Sequence, residues 1–161
     1  MNSLSDDNLK RSDYEALADF RYQIRRFLRF SEQAARQAGI EPQQHQLMLA
    51  LQGSGTSGLR IADLAERLQI QHHSTVELVD RLEERRLIVR WRGSSDRREV
   101  YVSLTVRGEK ILRELTLHHR EELRSAAPAL IAALRKVARR ERRSAVAAVK
   151  ALAHATAKEK A

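Results

Sequence analysis

The hydrophobic period of this chain changes between residues 59 and 104, and that change constrains the fold more than any other feature. In "LRIADLAERL" a short extended piece leads into apolar positions Ile61, Leu64, Ala65 and Leu68. Their three- and four-residue spacing is the stripe of a helix with one buried face. "QIQ" interrupts the stripe, and "HHSTVELVDRLEERR" resumes it with Val76, Val79 and Leu82. Further on the period falls to two: Val100, Val102 and Leu104 alternate with Tyr101 and Ser103. That is the period of a strand buried on one side. Helix, three-residue turn, longer helix and two-stranded ribbon must therefore share one core.

The ribbon raises an electrostatic question. "LIVRW" supplies its first strand and "RGSSDRR" its loop, so Arg90, Arg92, Arg97 and Arg98 fall within nine positions. Such a cluster repels itself unless an anion neutralises it. The whole chain leans the same way, with 30 Lys and Arg against 21 Asp and Glu, a formal charge of +9. A field of that sign attracts polyanions.

The longer helix is suited to one polyanion in particular. The B-DNA major groove, about 12 Å wide, admits a single α-helix. At about 100° per residue, Val76, Val79 and Leu82 face one way, while His73, Glu77, Asp80 and Arg81 face the other. Ser74 lies near the edge. His73, Ser74 and Glu77 would approach base edges, and Arg81 a phosphate. The carboxylates Glu77, Asp80, Glu83 and Glu84 would repel the backbone, so affinity must come mostly from the ribbon. Arg92, Arg97 and Arg98 are expected in the minor groove, where narrow A·T tracts concentrate negative potential. Asp96 would pair with one of them and hold the tip in shape. These elements form a winged helix-turn-helix, and the expected partner is double-stranded DNA.

The flanks read as helices. From Asp13 the residues Leu17, Phe20, Ile24, Phe27 and Leu28 form a stripe that Gly39 should end in a left-handed conformation. Pro42 opens a second helix through "QQHQLMLAL", and "QGSGTSG" can only be loop. Thr105 is expected to cap a last helix whose stripe continues through Leu112, Leu115, His119 and Leu123. Pro128 is expected to kink or restart it, with Ala-rich helix continuing to about residue 156. The layout is one chain, 1–161, with flanking helices at 13–40 and 106–157 and a winged region at 43–105. The stripe Leu17–Phe27 and a second one, Leu130, Leu134, Val146, Val149 and Leu152, exceed what the winged region could cover. A second copy of the chain is the expected cover.

Other chemistries find little support. The chain has no cysteine, which excludes disulfides, thiolate zinc sites and thiol nucleophiles. His72–His73 and His118–His119 are neighbours whose side chains diverge by about 100° on a helix, so neither pair chelates one ion easily. His73 is expected to face DNA, His118 a cleft, and His45 to be structural. No phosphate loop or nucleophile elbow is present, so neither enzyme activity, cofactor nor metal is expected. No apolar run reaches membrane length, and no N-terminal segment has a basic flank followed by an apolar run. The expected location is the cytoplasm, away from membranes. The run "RKVARRERR", 135–143, reads either as a solvated helical turn or as further phosphate contact.

With these motifs in place, "RIADLAERLQIQHHSTVELVDRLEERRLIVRWRGSSDRREVYVSLTVRGEKIL" closely resembles the MarR family of bacterial transcriptional regulators. The likeness rests on the "LAERL" helix, the "STVELVDRLEERRLI" recognition helix, the "DRR" wing and the "LT..G" that closes it. The resemblance implies a mainly α fold with a small β-ribbon wing, in which N- and C-terminal dimerisation helices flank the winged helix-turn-helix. It implies a homodimer on a pseudo-palindromic operator, acting as a repressor, and often a small aromatic or anionic ligand that releases the DNA. Asp96 and Arg98 match the family's wing pair, and Ser74, Thr75 and Arg81 match recognition-helix positions that commonly touch DNA. An effector pocket would draw on Phe20, Ile24, His45, Met48, Leu112 and Leu115. One departure stands out: Arg86 occupies a position, before "LIV", where the family usually has glycine. The competing function is an architectural protein that coats DNA without a specific operator.

Overall fold

The computed structural model describes residues 9–93 and 99–158, with side chains to residue 138. The elements run α1 (Arg11–Gln37), α2 (Pro42–Gly53), β1 (Leu59–Arg60), α3 (Ile61–Leu68), α4 (His72–Glu84), β2 (Ile88–Arg92), β3 (Val100–Leu104) and α5 (Val106–Lys158). The three strands form one antiparallel sheet in the order β1-β3-β2. Leu59 pairs with Val102, and Ile88 through Arg92 pair with Leu104 through Val100. The chain divides into two compact units, Arg29–Glu121 and the segments on either side of it. The inner unit takes in the end of α1 and the start of α5, so it is broader than the 43–105 region read from periodicity.

Three helices end in the same way, although only one of them ends on glycine. After α1, Ile40 N–H donates to the Ala35 carbonyl and Gly39 N–H to Arg36, with Gly39 at φ +71°. After α3, Ile70 and Gln69 donate to Ala65 and Glu66, with Gln69 at φ +56°. After α4, Leu87 and Arg86 donate to Leu82 and Glu83, with Arg86 at φ +57°. Each is the paired-bond C-cap that needs one left-handed residue followed by an apolar one. The turn that usually takes glycine thus forms with Arg86, at a cost in backbone strain of about 1 kcal/mol or more.

The core of the inner unit draws on every element between α2 and α5. Leu47, Met48 and Leu51 of α2 meet Leu64 of α3, Leu78, Val79 and Leu82 of α4, Ile88 and Val102 of the sheet, and Leu112 and Leu115 of α5. The sheet and the last helix are pinned at Leu87, whose carbonyl accepts from Thr105 N–H at 3.0 Å. Thr105 caps α5, its Oγ1 accepting from Gly108 N–H at 3.1 Å and donating to the Arg86 carbonyl at 2.8 Å. Gly108 is required there: a β-carbon on it would lie 2.1 Å from the Leu87 oxygen. The "LT..G" signature is the sequence trace of that close approach.

The outer unit is built differently. Ala16 and Ala133 are buried and Lys136 Nζ lies 3.2 Å from Asp19 Oδ2, but Leu17, Leu28, Ile131 and Leu134 are exposed. The helix α5 runs through Pro128 without interruption, so the expected restart does not occur. Proline removes one backbone donor, and the Ala-rich helix continues on both sides of that loss. The side chains of Val146, Val149 and Leu152, and those of residues 139–143, lie outside the described ones. Among the described residues, no helix is long and apolar enough to cross a membrane.

Candidate nucleic-acid interface

On α4 the buried face comprises Thr75, Leu78, Val79 and Leu82. His73, Glu77 and Arg81, four residues apart, form an exposed ridge on the other side, with Ser74 half-buried beside it. The phasing predicted from sequence therefore holds for His73, Ser74, Glu77 and Arg81; Thr75, which only the family resemblance had put among DNA-touching positions, lies on the buried face. Thr75 is wholly buried, and its Oγ1 donates to the Gln71 carbonyl one turn back at 3.2 Å. A threonine whose hydroxyl is satisfied within its own helix packs as valine does, so this side chain is not available to a ligand. Val76, assigned to the core, is only half-buried.

The acidic residues of α4 do not act as one repulsive face. Asp80 and Glu83 both bind Arg90 on β2: Arg90 Nη1 lies 2.9 Å from Glu83 Oε2, Nη2 binds Asp80 Oδ1, and the Arg90 N–H donates to Glu83 Oε1 at 3.3 Å. One arginine of the cluster is thus committed to tying the ribbon to α4. Glu77 lies 3.6 Å from Arg81, one turn along the exposed ridge, so the cation at its end is partly balanced by its own helix.

The ribbon itself carries the remaining charge. Arg92 is exposed at the end of β2, and Gly93 N–H closes the stem on the Glu99 carbonyl at 3.0 Å. Asp96, Arg97 and Arg98 lie outside the described residues. On the outward sheet face Trp91 stacks on Tyr101, ring centroids 4.6 Å apart and 14° from parallel. Tyr101 Oη donates to Glu99 Oε2 at 2.8 Å, a bond that pushes the phenol pKa above its ordinary value. Arg60, at the junction of β1 and α3, binds both Asp63 and Glu99. Its hydrogen bond to Asp63 holds that carboxyl below the usual range. Sequence reading passed over Arg60 and Glu99 because they lie 39 positions apart.

The six residues expected to form a pocket are divided between the two units. His45, Met48, Leu112 and Leu115 are core, while Phe20 and Ile24 are half-buried in the outer unit. The inner unit does hold a cavity of about 360 Å³ lined by Phe30, Gln33, Ala34, Gln37, Glu114, Leu115 and His118. Of the expected set only Leu115 reaches it; His118, read as facing a cleft, does as well. Beneath lies a buried imidazole pair. His119 makes 2.6 Å and 2.7 Å contacts with the Leu115 carbonyl and Ser31 Oγ, and His45 stands 4.8 Å from it, ring to ring. Burial, with His119 as a second cause, lowers the His45 pKa to about 4. Among the described residues no cluster of three metal-ligating side chains occurs.

Residues 38–99, from the end of α1 to the far side of the ribbon, match a family model described as the MarR family. The matched stretch holds the helix-turn-helix and the ribbon stem. The chain is similar to the HTH-type transcriptional regulator FarR of Neisseria gonorrhoeae, 39% identical over 79 residues, which are 49% of this chain and 53% of FarR. The chain spans about half the length of the curated relatives it matches. In fold it resembles AbsC of Streptomyces coelicolor, a MarR family transcriptional regulator, with a TM-score of 0.65 at 22% identity over 73% of this chain and 80% of AbsC. It also resembles the transcriptional repressor CouR of Rhodococcus jostii RHA1 in a complex with a 23-mer DNA duplex. There the TM-score is 0.58 at 28% identity, over 73% of this chain and 87% of CouR.

Proposed function

We propose that this chain is a homodimeric, sequence-specific DNA-binding transcriptional repressor of the MarR type. The observation that carries the reading is the exposed ridge His73–Glu77–Arg81 on α4, held by the Arg90 clamp beside an arginine-bearing ribbon. A helix about 10–12 Å across fits the major groove. His73, Ser74 and Glu77 then meet base edges, Arg81 a phosphate, and Arg92, Arg97 and Arg98 the minor groove, with Asp96 shaping the tip. Apolar side chains left exposed on the lone outer unit, Leu17 and Leu134 among them, support a second copy of the chain as partner, and a two-fold dimer fits a pseudo-palindromic operator. A small aromatic effector suits the cavity beside Phe30 and His118 better than an anion does, because Glu114 lines the same wall.

The test is a binding titration against salt on a duplex selected by the protein from a random library and on an unselected pool. Both affinities should fall with salt through counterion release. A regulator keeps a preference on the order of 10³ or more for the selected duplex; equal affinities would instead mark an architectural DNA-coating protein. Arg98→Ala should weaken binding to both duplexes, whereas Glu77→Ala should change base preference more than overall affinity.

A further inference from the structure

The side chain of Arg60 spans three elements of the inner unit. Its Nε and Nη2 donate to the two oxygens of Asp63, at 3.0 and 3.1 Å, within the first turn of α3. Its Nη1 donates to Glu99 Oε1 at 3.1 Å, at the far end of the ribbon stem. The other Glu99 oxygen accepts from Tyr101, whose ring stacks on Trp91. Trp91 in turn covers Gly58, where a β-carbon would lie 3.2 Å from the indole and 2.8 Å from the Val102 carbonyl. A continuous series of contacts therefore runs from the start of the helix-turn-helix, through one guanidinium, to the residue that closes the ribbon.

These ion pairs are too exposed to matter much for stability: the side chains of Arg60, Asp63 and Glu99 retain 49%, 34% and 33% of their accessible surface. Pairs of that kind contribute little to folding. A planar fork that engages one carboxylate through two nitrogens and a second through the third does fix direction. Its natural effect is on orientation.

We propose that Arg60 is a positioning residue that sets the angle of the wing against the helix-turn-helix, so that α4 and the ribbon tip reach one duplex together. The inference rests on the DNA-binding reading. It also gives Glu99 a purpose. A carboxylate beside the arginine-rich tip weakens attraction to phosphate, and its retention there is explained by the anchor.

Two substitutions in the full-length chain separate anchoring from charge. Arg60→Lys keeps the cation and loses the fork; Glu99→Gln removes an anion next to DNA. Charge alone predicts unchanged binding for the first and tighter binding for the second. The anchor predicts that both lower affinity for the library-selected duplex, by about threefold to tenfold, without shifting the thermal midpoint. Trp91, the sole tryptophan, reports the stem directly, and both variants should alter its emission in the absence of DNA. Selected-duplex affinity at or above the wild-type value in both variants would overturn the proposal, and so would unaltered Trp91 emission in both. If one variant unfolds, the other decides alone. A wild-type protein without duplex preference would refute the DNA reading, whereas the emission of Trp91 still tests the anchor.

Discussion

The α4 stripe of the inner unit and the stripe of the outer unit treat apolar surface in opposite ways. In the inner unit every large apolar residue of the α4 stripe other than Val76 is buried, and the core closes over Leu64, Val79, Leu82, Ile88 and Val102 without help. In the outer unit the described stripe is only partly covered: Ala16 and Ala133 are buried, while Leu17, Ile131 and Leu134 are about half-exposed. A stripe that buries its leucines supports its own unit, whereas a stripe that leaves them exposed offers apolar surface for contact.

The sharpest way to break that contrast is to truncate one leucine in each unit. Leu82→Ala empties a fully buried site and should cost about 2–5 kcal/mol at any protein concentration, measured by urea unfolding. Leu134→Ala should show a loss that depends on protein concentration, because an interface residue acts through association. A concentration-independent loss at Leu134 would mean that the outer unit closes on itself.

Acid tests how well the inner unit is sealed. His45 is 1% exposed and its Nε2 has no hydrogen-bond partner, with a pKa lowered to about 4. The unfolded chain binds this proton near pH 6.5, so between those values the unfolded state holds more protons. Stability is then full above about pH 6.5 and lost as pH falls toward 4, by up to ~3 kcal/mol. His45→Leu should flatten the dependence of the urea midpoint on pH across that window. An unchanged slope would assign the acid sensitivity to other groups.

The smallest effect concerns the strained turn between α4 and the ribbon. Arg86→Gly removes a left-handed penalty of about 1–2 kcal/mol but adds unfolded-state freedom worth about 0.5–1 kcal/mol. A net gain of about 0.5–1 kcal/mol should appear in thermal unfolding. A loss would show that the Arg86 side chain contributes more than its backbone costs.

Much of the inner unit could be read in advance because its signals are local. The "QIQ" turn, the left-handed Gly39, Pro42 opening α2 and the Thr105 cap all depend on residues within a few positions of one another. The α4 ridge was legible for the same reason, through helical period alone. Thr75 entered only through the family resemblance, and a polar residue gives no sign, in sequence, that its hydroxyl is satisfied by its own helix. Sequence could not separate pocket from core, because an apolar residue in a stripe looks alike whether it faces core or cavity. Arg90 was counted in the arginine cluster and given no partner, since nothing local ties it to Asp80 and Glu83 across the helix-to-strand turn.

The sequence by itself determined the order of helices within the winged region, which stretch is ribbon, and that cations gather there, because period, caps and charge are written within one or two turns of chain. Tertiary structure alone decided which cations are free for a ligand. Arg60 and Arg90 are held by carboxylates brought to them by folding, and attraction between opposite charges falls with distance in space and not along the chain.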